Sequence, residues 1–150
     1  TFNQQVDLIK GAKVGIPLGK KSLGETLETQ VEGYFSAKTN EYLIATIEGL
    51  KYAFTGSIDA SDKVGMDDYL NFIGATHSGS TPLSEAINNQ FETSVQTVEA
   101  LSMTLADAII DENEKANTIY ASLVDLIVMT KSDMPSAMSV AITYQDNDGD

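Results

Sequence analysis

The chain has 150 residues, 42% of them apolar, and a formal charge of −13 at pH 7, with nine lysines as its only strongly basic residues. That charge repels phosphate backbones and anionic lipid surfaces, which argues against nucleic-acid and membrane-surface binding. With no cysteine there is no disulfide framework or thiol chemistry, no run approaches the roughly 18 apolar residues of a membrane-crossing helix, and the length suits one domain with a sizeable core.

In chain order, Phe2, Val6, Ile9 and Lys13 fall at helical spacing, and Gly15 with Pro17 predicts the end of that helix near residue 14. Residues 15–38 read as a loop, with a short helical turn near Glu28–Glu32. A clear helix follows over 40–55: Thr39 is placed to cap it, Leu43, Ile47, Leu50 and Phe54 form its buried stripe, and Gly56 closes it. Polar turn residues fill 56–65, a short helix opens at Asp67 and Asp68, where carboxylates favour the positive end of the helix dipole, and "GATHSGST" (74–81) reads as a small-residue loop. Thr81 as cap and Pro82 as first helical residue predict a helix over 82–110, whose apolar positions from Leu83 to Ile109 recur every three or four residues. A turn at 111–114 leads to a last helix over 114–134, with Ile119, Leu123, Ile127 and Met134 inward; Pro135 should end or kink it. Val140, Ile142 and Tyr144 alternate, so the tail should be extended and lie along the bundle. The expectation is all-α: an antiparallel helical bundle with a short extended C-terminal tail.

Chemistry-bearing residues are sparse. His77, the only histidine, sits in a small-residue loop and is expected to be exposed there; one histidine makes neither a nucleophilic triad nor an ordinary zinc site. "GIPLGKKS" fails as a phosphate loop, because only three residues separate Gly15 from Gly19 and two lysines precede Ser22. Lys20 and Lys21 could still form a local positive spot. Glu25, Glu28 and Glu32 would share one face if helical and could then hold a hard cation, although a solvated face is the simpler reading. Asp146, Asp148 and Asp150 imitate the first ligand positions of a calcium loop, but the chain stops before the sixth-position glycine and twelfth-position glutamate, so they make a weak metal site at most.

The blocks "IPLGKKS" (16–22), "VEGYFSAKT" (31–39), "GMDDYL" (65–70) and the closing "ITYQDNDGD" (142–150) resemble, in order and spacing, the C-terminal half of the imelysin-like family, over nearly the whole chain. The resemblance implies one half of a duplicated two-bundle fold. It also implies an exported cell-envelope protein, periplasmic or an outer-membrane lipoprotein with its lipid anchor upstream, associated with iron acquisition. Some members are described as metallopeptidases. The family's Gly-x-His-x-x-Glu motif belongs to the first half and is missing here, since Ser80 rather than Glu stands three residues after His77. The positions matching the recurring second-half block are Tyr34, Ser36 and Thr39, with Lys20 and Lys21 nearby, as ligand or interface candidates. The implied partner is the N-terminal half of the same protein, which would hold iron or another divalent metal mainly through its own groups. The expected work is to complete a metal- or ligand-binding cleft; the alternative is part of a metallopeptidase whose catalytic groups lie in the other half. A first residue other than methionine, with no basic leader, suggests a processed chain or a piece of a longer one.

Overall fold

The computed structural model describes residues 1–57 and 63–141. It is an all-α helical bundle, and no helix among the described residues is long and apolar enough to cross a membrane. The first helix, α1 (Phe2–Leu8), continues as wider π-helical turns over Ile9–Gly15. Then come α2 (Thr39–Thr55), α3 (Met66–Phe72), α4 (Leu83–Glu99), α5 (Leu105–Asp111), α6 (Asn113–Val128) and α7 (Met134–Ala137).

Pairwise contacts give the directions of the four long segments. Phe54 meets Phe91 and Asn40 meets Met103, so α2 and α4 run antiparallel. Gln90 bonds to Ser122 and Ser102 to Glu112, which sets α6 antiparallel to α4. Lys131 bonds to Asp7 and Lys20 to Asn117, which sets the first helix antiparallel to α6. The seam is apolar because each helix repeats its large residues every three or four positions: Leu43, Ile47 and Phe54 from α2, Ile87, Phe91 and Val98 from α4, and Ile119, Leu123 and Leu126 from α6 are all buried. One end is centred on Phe2, Phe54 and Phe91, whose rings lie 6.2–6.5 Å apart in tilted and edge arrangements, the geometry the ring quadrupoles favour.

Several sequence expectations need correction. The helix expected over 82–110 breaks at residues 100–104. Thr104 opens a new helix by accepting the Asp107 N–H (3.2 Å), and the Leu105 N–H turns to Thr39 Oγ (3.0 Å) and Asn40 Oδ1 (2.7 Å) across the bundle. Thr39 therefore caps not its own helix but the start of another, and it is buried within α2. Thr81 does not cap α4 either. Two short strands, β1 (Thr76–His77) and β2 (Thr81–Pro82), pair where a loop was expected, and the Leu83 N–H is taken by the Ala75 carbonyl at 3.0 Å. Pro82 is extended, one residue before the helix. Pro135, expected to end or kink the last helix, does not end it. The path runs on to Ala137 through π-helical turns over Met129–Asp133, a wider turn just where a proline ring would strike the carbonyl four residues back in a regular helix. Val140 is 57% exposed rather than packed on the bundle; Ile142, Tyr144 and the three tail aspartates lie outside the described residues.

Candidate functional site

The loop over 15–38 is ordered by its own backbone. Gly24 N–H bonds to the Gly19 carbonyl (3.0 Å), Leu27 N–H to that of Pro17 (2.8 Å), and the Ser22 hydroxyl to that of Glu25 (2.6 Å). Gly19 has to be glycine: its φ is +79°, and a Cβ there would stand 2.7 Å from the Glu25 carbonyl oxygen. Leu18 and Val31 turn inward and are buried, while Ile16 and Leu27 are half-buried. Leu23 and Phe35 do the opposite and are fully exposed. Tyr34 stands edge-on to Phe35 at 5.2 Å, also exposed. Leu23 and Ala37 adopt left-handed backbone (φ +55° and +54°), which costs a side-chain-bearing residue about 1–2 kcal/mol each. The loop thus holds an apolar lip in water at a conformational cost.

The residues singled out in the sequence do not form one site. Lys20 donates to Asn117 Oδ1 (2.6 Å) and lies 5.1 Å over the Tyr120 ring, so it is tied to α6. Lys21 is exposed. Neither bonds to Tyr34, Ser36 or Thr39 among the described residues. The Ser36 hydroxyl donates to the Gly33 carbonyl (3.0 Å) and closes the turn that carries Tyr34 and Phe35. Thr39 is buried and spent on the Leu105 amide. Of the five, Tyr34 is on the surface beside another exposed aromatic ring, that of Phe35.

Glu25, Glu28 and Glu32 would share one face only if the segment were helical, and only Glu28–Gln30 is, as a single tight turn. Glu32 instead pairs with Lys13. No group of three histidine, aspartate or glutamate side chains able to hold a metal occurs among the described residues. His77 is half-buried rather than a free loop residue: its Nδ1 lies 3.2 Å from Asp133 Oδ2. That orients the imidazole, but no hydroxyl bonds to the ring among the described residues, so the pair lacks a nucleophile. The partner lies 56 residues away, and nothing local to "GATHSGST" points to it.

Near the same end of the bundle, Asp7 receives Lys131 and Lys10. Burial pushes its carboxyl up, but the hydrogen bond and charge of Lys131, with Lys10 adding, outweigh this and hold it below the usual aspartate range. No known protein-family model, curated protein or solved structure matches the chain. The imelysin-like resemblance rests on the sequence blocks alone.

Proposed function

We propose that the chain is a non-catalytic helical module that docks onto a second helical body through the 15–38 loop and completes a ligand-binding cleft with it. One observation carries this reading: Leu23 and Phe35 are fully exposed on a loop fixed by its own hydrogen bonds, with Leu23 held in left-handed backbone. A mobile loop would swing such groups onto the nearest apolar surface; this one holds them outward. Covering both on docking would contribute roughly 1.5–3 kcal/mol each, and large apolar side chains held fully in water on an ordered loop are the kind of surface a partner covers. In terms of the imelysin-like resemblance, the second body is the N-terminal half of the same exported cell-envelope protein, tied to iron acquisition. Iron or another divalent metal would be bound mainly by that half.

The test compares this chain with its full-length gene product by hydrogen exchange. Amides of residues 20–37 should exchange more slowly in the longer protein, and Leu23→Ser with Phe35→Ser should remove that difference without lowering the melting temperature of the 150-residue chain. Equal exchange in both, or a gene product with no second helical body, overturns the reading.

A further inference from the structure

A groove of about 230 Å³ lies along the seam between α2 and α4, and none of its lining residues belongs to the 15–38 loop. Its floor is apolar: Ile47 and Phe91 are completely buried beneath it, and Val95 is half-buried. Its walls are polar and unbalanced. From α2 come Glu48, Lys51 and Tyr52, and from α4 come Glu92, Gln96 and Glu99. Lys51 Nζ donates to Glu92 at 2.8 Å, so this lysine is already neutralised. Glu48 and Glu99 have no ion-pair partner among the described residues, and three glutamates against one lysine leave the rim at −2. Glu92 and Glu99 stand seven residues apart on one helix, roughly 10 Å along its axis. Ile47 and Phe91 are fully covered, so the accessible lining is the half-buried Val95, the exposed Tyr52 ring and the glutamate stems. This trough, with the uncompensated carboxylates of Glu48 and Glu99 beside it, suits an alkyl stem ending in a cation.

We propose that this groove binds a lysine- or arginine-bearing amphipathic segment of a partner protein. Charge decides the occupant. A second copy of this chain would bring −13 against −13, and an anionic lipid surface is repelled in the same way. The groove is lined by residues 47–52 of α2 and 91–99 of α4, about one and a half and two and a half turns, and is smaller than the roughly 300 Å³ at which small-molecule pockets usually begin. It takes one long basic side chain while the rest of the segment lies along the seam.

The experiment is fluorescence anisotropy at physiological salt, with a labelled peptide of about 14 residues alternating lysine with leucine at helical spacing as the probe. Saturable binding is expected, and a counter-probe with glutamate in place of lysine should not bind. Glu48→Gln with Glu99→Gln, both exposed positions, should weaken binding at least about fivefold while leaving the melting temperature unchanged. Asp111→Asn with Glu114→Gln changes the net charge equally outside the groove and should leave binding intact. Equal weakening by both double variants would mean that only net charge is sensed and overturns the site. Absence of saturable binding overturns it too, and full displacement by millimolar butylammonium would overturn the assignment to a protein segment.

Discussion

The break between α4 and α5 can be tested by removing the two side chains that hold it open. In Thr39→Val with Asn40→Ala, the Leu105 amide loses both of its acceptors, at 3.0 and 2.7 Å, and the Met103 carbonyl loses the Asn40 amide at 2.9 Å. Leu105 is buried, so its N–H has no access to water; Met103 is half-buried, so its carbonyl is partly rehydrated. An orphaned buried group costs about 1–3 kcal/mol. Counting the amide fully and the carbonyl in part gives a loss of about 2–4 kcal/mol. At about 2–4 °C per kcal/mol for a chain of this size, the melting temperature should fall by about 4–16 °C in a circular-dichroism melt. If residues 82–110 instead formed one unbroken helix, the Leu105 amide would bond to the Leu101 carbonyl. Thr39 and Asn40 would then be dispensable, and the change would stay within about 0.5 kcal/mol, as for ordinary surface substitutions. A shift that small would refute the broken-helix account and, with it, the structural role given to Thr39.

Three further outcomes follow, two from glycine geometry and one from charge. Gly19→Ala should destabilise by about 1–3 kcal/mol in urea unfolding, since the position combines left-handed backbone with a carbonyl 2.7 Å from the new Cβ. Gly11→Ala, with nothing within 4 Å and helical backbone, should be neutral or stabilising by about 0.4–1 kcal/mol. For Asp7, whose native carboxyl is held below its usual value, the unfolded chain binds the proton more readily. The pair's contribution is therefore fully present above about pH 4 and is lost as pH falls through the lower native value. Asp7→Asn should be less stable than the parent at pH 7 and lose less on acidification to pH 2; an unchanged slope of stability against pH would contradict the assignment.

The helices were legible because their cause is local. Leu43, Ile47 and Phe54, or Ile119 and Leu123, repeat at the period that puts them on one face, and Gly56 closes α2 in the left-handed backbone that a helix end favours. The apolar character of the 15–38 loop was legible too, as Ile16, Leu18, Leu23, Leu27, Tyr34 and Phe35 crowd a segment with little regular structure. Which of these turn inward was not, because Leu18 and Leu23 differ only in the backbone conformation that the surrounding turns impose. Tertiary structure alone decided the remaining features. The periodicity from Leu83 to Ile109 continues across residues 100–104, and what breaks the helix is competition for one amide from acceptors 65 and 66 residues away. His77 finds Asp133 for the same reason, and nothing local marks Glu48, Glu92 and Glu99 as neighbours until α2 and α4 pack and bring them to one groove. Local pattern reports which side of a helix is buried; it carries no information about which distant donor or acceptor will stand opposite when the helices pack.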